Sequence, residues 1–138
     1  MSDLEKSIKI ITYFGIIPFY VTPVASLFSV DFFINKFVTI ENFSKLYCAL
    51  IVSFLSGMQW HKLITQKNKK LLIVPLIPLF TVLFYNNEII KSFSSLFFIS
   101  ALLISLSIDL MIYKNSTNGW FRKLRINATI FASLSFLI

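Results

Sequence analysis

The chain has few of the residues that build catalytic and metal-binding sites. Its 138 residues include one cysteine, Cys48, and one histidine, His61, so no intrachain disulfide can form. Cysteine, histidine and acidic residues do not cluster at ligand spacing. There is also no serine–histidine–aspartate set, metal motif or phosphate-binding glycine loop. These absences argue against a structural zinc or haem site and against the common enzyme classes, and we expect no cofactor.

Charged residues are equally scarce, at 14% of the chain, whereas 57% of residues are apolar and sixteen are phenylalanine. A soluble domain is about half apolar and about a quarter charged. The net charge of +7 is carried in short connections between apolar runs rather than on one basic face, so we expect no binding to nucleic acid. The composition predicts a single integral membrane domain over residues 1–138, surrounded by the lipid bilayer.

Five hydrophobic segments predict an all-α membrane protein, a bundle of about five transmembrane helices. The predicted spans cover about residues 8–30, 46–64, 71–85, 89–113 and 120–138. The third is short for a hydrocarbon core of about 30 Å and contains Pro75 and Pro78. It therefore either crosses a locally thinned bilayer or re-enters on the same side. Pro18 and Pro23 predict a kink in the first span, with the freed carbonyls satisfied by neighbouring helices or water.

The distribution of lysine and arginine predicts the orientation. If all five segments cross, ten of the thirteen basic residues fall on one side, and Lys36, Lys45 and Lys91 fall on the other. The positive-inside rule then puts the N-terminus in the cytoplasm or an organelle's matrix, and Ile138 outside. A re-entrant third segment would divide the basic loops between the two sides, so the charge distribution favours a full crossing.

Small residues recur at helical spacing in three of the predicted spans. Such repeats let the backbones of membrane helices approach closely, although serine and alanine are also simply frequent in these helices. Their recurrence in three of the five spans favours a role in packing. The residues predicted to form these contacts are Ala49, Ser53, Gly57, Ala101, Ser105, Ala128 and Ala132.

Asp109 is the only acidic residue well inside a predicted span. The predicted topology places it near the cytoplasmic end of its helix, level with Arg122 and Arg125 in the next helix and with Gln59 and Trp60 in the second. This candidate cluster is either an Asp–Arg clamp between two helices or a proton or anion site, in which arginine binds carboxylate or phosphate. We favour the clamp because charges this near the membrane surface cost little to keep there.

Several motifs occur in order along nearly the whole chain. They are Gly15-x-x-Pro18-Phe19, Tyr47-x-Ala49, Ser53-Phe54-Leu55-x-Gly57-x-x-Trp60, Asp109, and Trp120-Phe121-x-x-Leu124-Arg125 with Thr129. This order resembles the transmembrane protein 69 family, small membrane proteins of proteobacteria and mitochondria. The chain departs from the family's paired glycine at Ser56, from its glycine at His61 and from its leucine at Ala128. The resemblance implies five helices and a multi-pass location in the cell inner membrane, and it brings no assigned activity.

Three functions are compatible with these features. The first is a non-enzymatic assembly or interaction factor that packs against a larger membrane complex. Besides the lipid bilayer, the partners we expect are other membrane proteins or, in a homo-oligomer, further copies of the chain. The second is a small oligomeric carrier or channel with the Asp/Arg cluster in a cytoplasmic vestibule; against it, the other spans lack a polar path. The third is an enzyme, with acid–base work by Asp109 and His61, which nothing in the sequence supports over the clamp.

Overall fold

The computed structural model describes residues 2–29, 40–83, 94–113 and 119–138, and these residues are all-helical, with turns between the helices. The elements are α1 Asp3–Phe14, a 3₁₀ helix Ile17–Tyr20, α2 Val21–Leu27, α3 Ile40–Thr65, a 3₁₀ helix Lys69–Leu71, α4 Leu76–Leu83, α5 Ser94–Ile112 and α6 Gly119–Ser135. The first helix begins at a capping sequence, since the Ser2 hydroxyl accepts a hydrogen bond from the Glu5 amide at 3.2 Å.

The first apolar segment is interrupted where its prolines predict a kink, between α1 and α2. Pro23 has no N–H to donate to the carbonyl of Phe19, four residues earlier. The Ser44 hydroxyl of α3 donates to that carbonyl at 2.8 Å instead. The Tyr47 hydroxyl, also on α3, donates to the carbonyl of Gly15 at 2.8 Å. The interruption is therefore held in place by side chains of the next long helix.

The core lies between α3, α5 and α6, with the 3₁₀ helix after α1 against it. Phe98 and Ala101, near the start of α5, pack with Val52 in the first half of α3. Ile108 and Ile112, near the end of α5, pack with Leu63 near the end of α3. Since early residues contact early ones and late residues contact late ones, α3 and α5 run parallel.

The directions of α6 and of the first segment follow from contacts at the two ends of the bundle. Phe98 of α5 stacks on Phe136, just after α6, whereas Asp109 of α5 meets Arg125 near the start of α6, so these helices are antiparallel. Lys9 of α1 lies over the ring of Trp120, at 5.6 Å from its centroid. Farther along, the Tyr20 hydroxyl donates to the Phe131 carbonyl at 2.6 Å, so the first segment runs parallel to α6.

Because α3 and α5 run parallel, the chain returns between them to the end of the bundle at which α3 begins. The described part of this return comprises the 3₁₀ helix Lys69–Leu71, turns to Pro75, and α4, which packs against α3 and α5. The third predicted span is thus an α-helix only from Leu76. Proline disfavours the helical conformation of the residue before it, which explains the turns that precede Pro75.

Two described helical stretches are long and apolar enough to cross a membrane, Asp3–Leu27 and Ser95–Ile112. Helix α3 is longer still, about 39 Å at 1.5 Å per residue, but it carries more polar side chains. The predicted second span lies inside α3, and the fifth coincides with α6 and the residues that follow it. The first five residues of the predicted fourth span lie outside the described ranges.

Candidate functional site

Asp109 and Arg125 form an ion pair between α5 and α6. Arg125 donates to Asp109 Oδ2 through Nε at 2.7 Å and also through Nη2. The Asp109 side chain is 7% exposed and that of Arg125 is 16% exposed, so the pair is largely shielded. Charge-assisted hydrogen bonds of this kind are about twice as strong as neutral ones. The pair therefore ties the end of α5 to the start of α6.

Gln59 brings α3 into the same cluster. Its buried side-chain amide donates from Nε2 to Asp109 Oδ1 at 2.7 Å and to the Ser105 carbonyl at 3.0 Å. Both carboxylate oxygens of Asp109 thus have donors, one on α3 and the other on α6. The remaining amide oxygen of Gln59, Oε1, is buried and has no hydrogen-bond partner. Three helices therefore meet at one carboxylate.

The other two residues of the predicted cluster lie apart from it. Arg122 is exposed and Trp60 is 46% exposed. Trp60 follows Gln59 directly, and one residue turns a helix by about 100°, so its side chain leaves the buried face. Arg122 precedes Arg125 by three residues, about 4.5 Å farther towards the end of the bundle, and shares no hydrogen bond with Asp109 among the described contacts.

The small residues predicted to pack between helices also differ in burial. Ala49, Ala101, Ser105, Ala128 and Ala132 are buried, Ser53 is half-buried, and Gly57 is exposed with open space where a Cβ would lie. The line through Ala49, Ser53 and Gly57 is offset by one residue from the buried positions of α3 at 48, 52 and 56. It therefore turns away from the core, and the expectation that Gly57 lies at a close helix contact is not met among the described residues.

An open groove of about 580 Å³ runs beside the ion pair, lined by residues of α1, α3, α5 and α6. Asp109, Arg125 and Tyr113 line it near one end, and most of the remaining wall is apolar. Ile11 on α1 and Phe54 on α3 belong to this wall and are 70% and 64% exposed, so the groove is open to its surroundings. A cavity of this size is in the range that binds small molecules, about 300–1,000 Å³.

Side chains that satisfy the interrupted first helix were not identified from the sequence. Ser44 and Tyr47 supply hydroxyl groups to its freed carbonyls, and Thr22 and Ser44 exchange backbone-to-hydroxyl bonds at 3.1 and 3.2 Å. The prolines signal that partners are needed, but only the packing of α3 against α2 determines which hydroxyls provide them.

Chemically, the site offers a carboxylate whose oxygens already have donors, rather than an exposed acid or base. Within the described ranges, no group of three or more histidine, cysteine and acidic residues is placed to hold a metal ion. His61, the second member of the acid–base pair considered above, is exposed on α3 and shares no hydrogen bond with Asp109 among the described contacts.

A known protein family matches nearly the whole chain. Residues 4–138 match the protein family described as "Protein of unknown function (DUF3429)". The chain belongs to this family. The residues matched to DUF3429 include those of the ion pair and of the groove, and all of the described helices except the first residue of α1. No curated protein and no solved structure matches the chain.

Proposed function

We propose that this DUF3429 protein is a five-span protein of the cell inner membrane, with its N-terminus in the cytoplasm, and that it acts as a non-enzymatic interaction or assembly factor for a membrane complex. A bundle that holds the buried acid Asp109 between donors on two helices, and that exposes apolar side chains outward, is suited to binding neighbours in the membrane. The engagement of Asp109 by Arg125 and Gln59 is the observation that carries this proposal.

The outward-facing surface supports the membrane location. Large apolar side chains are exposed on every long described helix, among them Ile10 on α1, Leu50 on α3, Leu96 on α5 and Ile130 on α6. Soluble monomers rarely expose contiguous apolar patches larger than a few hundred Å². Lipid tails are the natural surroundings of such a surface.

The directions of the helices support five crossings. The first segment and α6 run one way, and α3 and α5 run the other, so an additional crossing between α3 and α5 accounts for the return of the chain. The described basic residues Lys9, Lys62 and Arg125 lie at one end of the bundle. The positive-inside rule assigns that end to the cytoplasm.

The interaction role is tested by purifying the tagged full chain from its native membrane in a mild detergent and identifying the co-purifying proteins by mass spectrometry. We expect a partner at a fixed stoichiometry that survives washing. Ser107→Ala serves as the matched control for variants of Asp109, because Ser107 is exposed on α5 and its described hydrogen bond is to Leu103 of the same helix. Purification of the chain alone, as a stable oligomer, would contradict the interaction role.

A small oligomeric carrier is the second candidate, and the groove of about 580 Å³ beside Asp109 and Arg125 is the observation that favours it. A carrier would require the ion pair to open during transport, since both carboxylate oxygens are occupied in the structure. Solute or ion flux into liposomes containing the purified chain, lost on Asp109→Asn in a folded protein, would favour the carrier over the interaction factor.

A further inference from the structure

The groove is lined by four segments of the chain, each twelve residues long. Its wall is drawn from residues 8–19, 47–58, 102–113 and 121–132. On α3, α5 and α6, each range rises about 16 Å at 1.5 Å per residue. The groove therefore begins at the basic end of the bundle and is about half as long as a hydrocarbon core of about 30 Å is thick, so it stays within one leaflet.

This length discriminates between possible occupants. A transmembrane helix of a partner or a second copy would lie along the full thickness of the core, about 30 Å, and would need a contact surface of that length. One tail of a lipid extends through a single leaflet. Because the wall of the groove is mostly apolar and open at Ile11 and Phe54, a lipid tail can enter it from the side.

The charges around the mouth of the groove are complementary to an anionic headgroup. Lys62 lies over the ring of Tyr113, at 5.5 Å from its centroid, and Tyr113 lines the mouth. Arg122 and Lys123 follow the lining residue Phe121 and are exposed. Each basic residue near a membrane surface attracts anionic lipid. The surrounding basic residues therefore favour a phosphate group at this position.

The ion pair lies at the level of a lipid's ester groups. Asp109 and Arg125 are one helical turn inside the mouth, about 6 Å from Tyr113 and Phe121. The interfacial layer of a bilayer is about 5–7 Å thick on each side. Among the described contacts, Arg125 bonds through Nε and Nη2, so its Nη1 group is left for a further oxygen acceptor. An ester or phosphate oxygen fits that donor.

We propose that the groove between α1 and α3 binds one anionic phospholipid of the cytoplasmic leaflet, with its phosphate beside Lys62 and Arg122 and one acyl chain along the apolar wall. This inference rests on the membrane location proposed above, and it adds a bound ligand that the interaction role does not require. It assigns the groove to a resident lipid rather than to a transported solute.

The first experiment blocks the groove. Thr12 lines the wall, and its hydroxyl donates to the Ile8 carbonyl of its own helix at 2.8 Å. Ser107 makes the same kind of bond, to Leu103 at 2.9 Å, but lies outside the groove. Thr12→Phe and Ser107→Phe are therefore matched. Delipidated protein is titrated with dioleoyl phosphatidylglycerol, and native mass spectrometry counts the bound lipids. We expect the wild-type protein to bind one lipid. Its affinity for that lipid should fall about ten-fold in Thr12→Phe and stay unchanged in Ser107→Phe.

The second experiment tests headgroup recognition and does not depend on the first variant folding. Lys62→Gln is compared with Lys70→Gln, an exposed lysine of the 3₁₀ helix that lines no part of the groove. Wild-type protein should bind phosphatidylglycerol in preference to phosphatidylcholine with the same acyl chains. We expect Lys62→Gln to weaken binding of phosphatidylglycerol about five-fold and Lys70→Gln to leave it unchanged.

Equal binding of the two lipids by wild-type protein, or equal lipid occupancy of the two phenylalanine variants, would overturn the proposal. Absence of bound phosphatidylglycerol from the wild-type protein would do so as well. The interaction role is read from a different measurement, the co-purified proteins. If Thr12→Phe loses the lipid but keeps a co-purifying partner, the interaction role stands. If the wild-type protein binds the lipid but no partner co-purifies, only the interaction role is contradicted.

Discussion

Replacing Asp109 with asparagine keeps the shape of the side chain and removes its charge. The side-chain oxygen of the new asparagine can still accept from Gln59 Nε2, so the contact to α3 is preserved. The loss is concentrated on Arg125, which keeps its positive charge at 16% exposure without a carboxylate partner. Breaking a shielded pair in this way costs about 3–5 kcal/mol. We expect the lower limit, about 3 kcal/mol, because Arg125 is near the end of its helix.

A loss of this size is measurable by thermal melting of a fluorescent fusion on size-exclusion chromatography. For a chain of this length it corresponds to a fall in Tm of the order of 10 °C, with a lower folded yield. Ser107→Ala, on the same helix but exposed, should melt within about 2 °C of wild type. The double variant Asp109→Leu/Arg125→Met removes both charges and should melt closer to wild type than Asp109→Leu alone.

Two outcomes would refute this account of Asp109. One is an Asp109→Asn protein that melts within about 2 °C of wild type, since the ion pair would then contribute little to stability. The other is additive destabilisation in the double variant, which would mean that the two residues act separately. Normal stability together with lost cellular function would assign Asp109 an active role in place of the clamp.

Two other changes test the packing around the cluster. Gln59→Leu should lower the free energy of unfolding by about 1–3 kcal/mol, because it removes the donors to Asp109 and to the Ser105 carbonyl. The same melting assay measures this loss, and an unchanged Tm would contradict the hydrogen bonds described for Gln59. Ala101→Leu should cost about 1–3 kcal/mol by overpacking the core, whereas Gly57→Ala should be neutral or stabilise by up to about 1 kcal/mol, because its Cβ meets open space. Equal effects of these two substitutions on Tm would show that Gly57 lies at a contact after all.

The sequence identified the cluster because alternating crossings bring helix ends together. Asp109 ends one segment and Arg125 opens the next, so a short connection places them at one level of the bundle. Whether Arg122 and Trp60 belong to the cluster around Asp109 could not be predicted in this way, because it depends on the rotation of each helix about its axis. A change of one residue moves a side chain by about 100°, and the apolarity all round α5 gives little indication of its inward face.

The groove was beyond reach of the sequence for a related reason. Its wall combines residues of four helices, and its open side depends on how α1 stands relative to α3. The break in the first segment was predictable from the chemistry of proline alone, since a missing N–H is a local property. Partners such as Ser44 and Tyr47 lie on the next helix, so their identity is determined by tertiary packing.

The bonds from Ser44 and Tyr47 to the interrupted first segment have a consequence for biogenesis. A free backbone carbonyl in lipid costs several kcal/mol, and among the described contacts the freed carbonyls of Phe19 and Gly15 accept from side chains of α3. The first segment can therefore adopt its bent form only after α3 has entered the bilayer beside it. The nascent chain should insert these two segments as a hairpin, with residues 2–65 out of the ribosome before the N-terminal segment reaches its final shape.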